Sequence, residues 1–290
     1  MIREPPMKPH HTPAHHASTA RRSAQALVLS AAVLLGVTSC ATAPRNVRFA
    51  EADGHRVAYR VLGAGQPTIV MIAGLGDGMA TFEHVASELA TTTTVIIYDR
   101  AGYGASDDVL GVRDAEAAER ELSALLEHSG VDGPYVLAGH SLGGLYAEYF
   151  AARHPGQVAG LVLEESRPAD FTRRCETAGI ASCALPASMA WTLPLGGRAE
   201  LAALPETAAE VERVQGRHST PTLVLSRSTS AHPSAFDALW SAAQRDLATR
   251  YPGSRQRVAS GSGHYIHLDQ PAWFVEAVRS FVGDGLAPRS

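Results

Sequence analysis

The sequence predicts an α/β chain: a mostly parallel sheet with helices on both faces and a small inserted lid. Three observations point there. Short apolar runs of strand length alternate with segments of helical spacing. One run, Tyr135-Val136-Leu137-Ala138, enters Gly139-His140-Ser141-Leu142-Gly143 and leaves as the helical pattern Leu145 to Ala152. A long insert, about 166–220, holds apolar segments broken by proline, such as Leu185-Pro186 and Leu193-Pro194-Leu195.

The elements follow in order. Val47 to Ala50 and Arg56 to Val61 read as a hairpin around Asp53-Gly54. Thr68 to Ala73 is a buried strand bounded by Pro67 and Gly74, and Val95 to Tyr98 is the next. Arg113 to Ser129 carries Ala117, Leu122, Leu125 and Leu126 at helical spacing and stops at Gly130. Val136 to Ala138 is a strand, and Leu145 to His154 a helix stopped by Pro155-Gly156. Leu161 to Leu163, Thr222 to Leu225 and Arg257-Val258 read as strands, and Trp273 to Val282 as the closing amphipathic helix.

The 290 residues carry a net charge of −4 and 45% hydrophobic side chains. That is enough for one domain, 47–285, with the lid inserted. The near-neutral balance, with no cluster of Lys and Arg among aromatics, argues against nucleic acid as partner. Residues 1–39 read as a leader. The Pro- and His-rich start, with His10, His11, His15 and His16, is read as leader in preference to a metal site, and Arg21-Arg22 precedes an apolar run, Ala24 to Val37, too short to span a bilayer comfortably. The run ends in Val37-Thr38-Ser39-Cys40, which resembles a bacterial lipobox. That implies lipidation at Cys40, a short tether over 40–46, and an exported, membrane-anchored protein. Cys175 and Cys183 are then left as an even pair in an oxidising compartment, where a disulfide is expected.

The Gly139 to Gly143 stretch carries the chemistry. A strand that turns into a helix within a few residues forces the middle residue into a strained, positive-φ conformation. Such a turn pushes the Ser141 hydroxyl out above the sheet edge. The amide of Leu142 then sits at a helix N-terminus, where developing negative charge is stabilised.

Four separated motifs make the chain resemble the α/β-hydrolase-fold family over most of Arg48 to Val282. They are Ala73-Gly74-Leu75-Gly76-Asp77-Gly78, with Ala where His is common; Asp99-Arg100-Ala101-Gly102-Tyr103-Gly104-Ala105-Ser106; the Ser141 turn; and Gly263-His264-Tyr265-Ile266-His267-Leu268-Asp269-Gln270-Pro271. The resemblance implies Ser141 as nucleophile, His264 as base and the backbone amides of Leu75 and Leu142 as oxyanion donors. It gives the Asp99–Ser106 turn a structural role. His264 is preferred to His267 because Gly263 matches the motif.

The acid is the point of departure. Many members place an aspartate shortly after the seventh strand, but Thr222 to His232 contains no carboxylate. Some members, including a group of haloalkane dehalogenases, take the acid from the end of the sixth strand. Glu164-Glu165 stand there, and adjacent strand residues face opposite ways. The assignment is Glu165, with Glu164 and Asp237 as alternatives.

The expected activity is hydrolysis of a carboxylic ester with a small or medium apolar group, through an acyl-enzyme and without cofactor or metal. The alternatives are cofactor-free peroxidase-like chemistry, C–C or amide hydrolysis on the same fold, or a non-catalytic surface lipoprotein.

Overall fold

The computed structural model describes residues 46–183, 187–217 and 219–286. Strands β1 (Arg48–Ala52) and β2 (His55–Leu62) form the hairpin, turning at Asp53 and Gly54, both at positive φ. Then come β3 (Thr68–Ile72), α1 (Glu83–Leu89), β4 (Thr94–Tyr98), α2 (Ala115–Ser129), β5 (Tyr135–His140), α3 (Leu142–Arg153) and β6 (Val158–Glu164). The insert contributes α4 (Phe171–Ala178) and α5 (Leu195–Val214). The chain closes with β7 (Thr222–Arg227), α6 (Ala235–Arg250), β8 (Arg255–Ala259), α7 (Ile266–Asp269) and α8 (Pro271–Gly285).

The eight strands make one sheet in the order β1-β2-β4-β3-β5-β6-β7-β8. β1, β2 and β4 pair antiparallel, and every other pair is parallel. Alternation along the strands sorts the core onto two faces. Val70, Ile72, Ile96 and Leu137 pack with α2 and α3 on one face. Ile69, Met71, Ile97 and Val136 pack with α1 and α8 on the other. This is the fold class predicted, and the parallel strands read as continuous apolar runs because both faces are covered. Each such side chain, when fully buried, contributes roughly 1.5–3 kcal/mol.

The insert differs from its sequence reading. Its second half is a continuous helix of 20 residues with Pro205 inside it. Proline removes one i→i−4 bond and is costly in isolation. Here Glu200, Ala203, Thr207, Glu210, Val211 and Val214 recur at helical spacing and are buried. Tertiary burial of that stripe outweighs the local penalty. The seven-residue α1, too short to show a period, is a helix that the sequence reading leaves unassigned.

Candidate active site

Ser141 stands between β5 and α3 with φ 52° and ψ −114°, a strained conformation for a residue with a Cβ. Its surroundings hold it there. Its N–H donates to the Glu164 carbonyl at 3.0 Å, and its own carbonyl accepts from Gly144 and Arg167. The turn leaves no space at its glycines. A Cβ at Gly139 would lie 2.5 Å from the Gly143 carbonyl oxygen, and one at Gly143 would lie 2.2 Å from that of Ile72. Sequence and geometry agree here because the close approach of α3 to β3 and β5 admits glycine alone.

His264 lies in the loop between β8 and α7, half-buried, and lines the same cavity as Ser141. Its Nδ1 is 3.2 Å from Glu165 Oε2. Glu165 is fully buried immediately after β6 and has φ 43°. Its carboxylate is held at both oxygens. Oε1 accepts the backbone N–H of Arg227 at 2.9 Å, and Oε2 accepts the indole N–H of Trp240 at 2.9 Å. The Glu165 N–H is itself fixed to the Leu225 carbonyl at 2.7 Å. A carboxylate so restrained orients one ring nitrogen of its histidine.

Glu164 points the other way. Its Oε1 accepts the backbone N–H of His267 at 2.8 Å, and both its oxygens lie within 2.9 Å of His267 Nδ1. The two adjacent glutamates thus serve two histidines three residues apart. His267 is buried against Phe82, and neither it nor Glu164 lines the cavity. Asp237, on α6, accepts from the Arg227 guanidinium at 2.7 Å rather than approaching His264. Between the two pairs sits His140, whose Nε2–H donates to the His264 carbonyl at 3.0 Å. Burial pushes its pKa down to about 4, so it is a neutral spacer that positions the His264 backbone.

The loop after β3 is fixed from below. Arg100 is 1% exposed and donates to the carbonyls of Ala73 at 2.6 Å and Gly74 at 2.9 Å. The rest of its guanidinium grips Glu200 of α5 at 2.6 and 3.0 Å. Tyr103 donates to Glu200 at 2.5 Å and accepts the Gly76 N–H at 3.2 Å. The Asp99–Ser106 turn thus ties the loop carrying Leu75 to the insert. Among the described residues the amides of Leu75 and Leu142 donate to no protein group. Arg100→Met would strand the Glu200 charge in the core. Its expected cost is about 3–5 kcal/mol, a fall in Tm of about 10 °C, which calorimetry would read. Arg100→Met/Glu200→Met is expected to recover part of that loss.

The cavity over Ser141 has a volume of about 300 Å³. Leu75, Leu142, Leu201, Leu204, Phe236 and Trp240 supply most of its apolar wall. Cys183, joined to Cys175 by a disulfide, adds to that wall. Closing this short loop contributes about 2–3 kcal/mol in the chain-entropy picture. Among the described residues no group of side chains is arranged to hold a metal ion. Cys40 and the expected leader, 1–39, lie outside the described residues. Two positioning groups, Trp240 and Arg227, carry no motif that marks them in the sequence. Arg227 carried the one available signal, standing where an acid is common.

The comparisons with known proteins agree with this fold. The family model described as the alpha/beta hydrolase fold matches residues 67–288. An uncharacterised protein of Mycobacterium tuberculosis is 26% identical over 292 aligned positions, covering 83% of this chain and 82% of the relative. A pimeloyl–(acyl-carrier protein) methyl ester esterase of Chromobacterium violaceum is 41% identical over 107 positions, 37% of this chain and 39% of the relative. A thermophilic esterase from Thermogutta terrifontis superposes with a TM-score of 0.64 at 23% identity, covering 82% of this chain and 98% of that one. The chain belongs to the alpha/beta hydrolase fold family and is a hydrolase of that fold.

Proposed function

We propose that the protein is a serine hydrolase cleaving carboxylic esters through an acyl-enzyme. One observation carries the reading: a strained serine and a histidine line one cavity, and the histidine is backed by a carboxylate fixed at both oxygens. In this mechanism His264 Nε2 takes the proton of Ser141 Oγ as the oxygen attacks the ester carbonyl. Glu165 keeps the proton on Nδ1 and stabilises the imidazolium. The tetrahedral oxyanion receives the N–H groups of Leu75 and Leu142, each such donor typically contributing about 3 kcal/mol. His264 then passes its proton to the leaving alcohol. Water repeats the sequence to release the acid. The apolar wall favours a small or medium apolar group next to the carbonyl.

A fluorophosphonate probe is expected to label the protein once, on Ser141, and short-chain esters are expected to be turned over. Labelling without ester turnover would move the reading to amide or C–C hydrolysis. No labelling would remove catalysis by Ser141 altogether.

The reading extends to location. The Val37-Thr38-Ser39-Cys40 stretch supports lipidation at Cys40 and a bacterial membrane anchor. The several acyl chains of a bacterial lipoprotein hold firmly where one chain binds marginally. Expressed in a bacterial host, the wild type is expected in the membrane fraction and Cys40→Ala in the soluble one. Equal soluble release of both would refute the anchor.

A further inference from the structure

Arg167 follows Glu165 by two residues, and its backbone N–H donates to the Ser141 carbonyl at 3.1 Å. Its position is therefore tied directly to the Ser141 turn. Its side chain is half-buried and stands in the wall shared by the Ser141 cavity and a neighbouring cavity of about 420 Å³. One donor, Nη2, reaches the Thr172 hydroxyl at 2.8 Å, and the guanidinium lies 5.2 Å from the centre of the Phe171 ring.

Along the Ser141 cavity the other charges are matched, and of the carboxylates lining the neighbouring cavity Glu212 pairs with Arg173 while Glu176 makes no ion pair with Arg167. Glu200 is taken by Arg100, Arg227 by Asp237 and Glu165, and Glu165 by His264. Asp77 is pushed up by burial and bonded to Tyr265, which weakens its claim to be a counter-charge. Arg167 has no carboxylate partner among the described residues, and burial alone acts on it, lowering its pKa from the ordinary value. An arginine nevertheless stays protonated in a protein. A desolvated, unmatched cation is costly to keep in a lid wall. The planar fork left open there fits a carboxylate.

Resting on the serine-ester reading above, we infer that Arg167 is a specificity residue and that the substrate is an ester whose otherwise apolar body carries a free carboxylate. A dianion is disfavoured, because the carboxyls of Glu200 and Asp77 line the same cavity.

The test compares esters with uncharged amide isosteres, so that shape is constant and charge alone changes. Monomethyl adipate against methyl 5-carbamoylpentanoate reports a carboxylate on the acyl side. 3-Acetoxybenzoate against 3-acetoxybenzamide reports one on the alcohol side. In the wild type, kcat/KM is expected to favour the carboxylate by about tenfold or more in one of the pairs. Arg167→Met should bring that ratio close to one, and Arg167→Lys should restore part of it. A ratio at or below one in both wild-type pairs overturns the inference, as does a preference that Arg167→Met leaves intact. Turnover of the neutral esters without discrimination would sink this inference alone. No turnover of any ester, with Ser141 unlabelled by fluorophosphonate, would sink the serine-ester reading beneath it as well.

Discussion

Ser141→Ala is expected to lower ester turnover by several thousandfold or more, because nucleophile and base act as a unit and neither compensates for the other. The fold should survive the change. The backbone that strains Ser141 is held by the Glu164 carbonyl, by Gly144 and Arg167, and by close contacts at Gly139 and Gly143, none of which uses the hydroxyl. Alanine at φ 52° bears the same strain as serine, so the cost in stability should be small. Initial rates on a short-chain ester, with thermal unfolding in parallel, check both halves. A variant with an unchanged Tm that retained a tenth of the wild-type kcat would show that Ser141 is not the nucleophile.

Local signals made this part of the site readable. Ser141 is announced by residues within a few positions of it, since the turn needs a strand before, a helix after and glycines on either side. The parallel strands were readable because burial on both faces leaves continuous apolar runs such as Thr68 to Ile72. Their ends were not. β6 runs from Val158 to Glu164, beyond the apolar Leu161 to Leu163, because pairing with β5 and β7 carries it further. The α5 helix was hidden for the opposite reason. Pro205 argues locally against it, and only packing against the rest of the domain settles the matter. The partners of Glu165 are the least legible feature. Trp240 lies 75 residues away and Arg227 lies 62 away, and no spacing rule connects them to a glutamate at a strand end.

Those partners give the clearest expectation about the acid. Glu165→Gln is expected to reduce kcat by a factor on the order of 10³ to 10⁴, as loss of the orienting carboxylate does in serine triads. The wild-type carboxylate accepts at both oxygens, from the Arg227 N–H at Oε1 and from the Trp240 indole at Oε2, beside His264 Nδ1. A glutamine has one oxygen. Turned toward Arg227, it presents NH₂ to the indole and to the ring, so His264 Nδ1 must accept rather than donate. The ring proton then resides on Nε2, facing the serine, and the base is lost. Turned the other way, the NH₂ confronts the Arg227 N–H and leaves two buried donors opposed. Either way the defect falls on kcat, and some stability is lost with it. Asp237→Asn removes a carboxylate that serves Arg227 and Ser234, so turnover should stay within a few-fold of wild type. Glu164→Gln disturbs the buried pair with His267, and its cost should appear in Tm well before kcat. The ranking of the three in kcat, each paired with its melting temperature, is the measurement. Should Asp237→Asn be the inactive variant while Glu165→Gln turns over normally, the acid comes from the segment after β7, and the geometry around Glu165 serves packing alone.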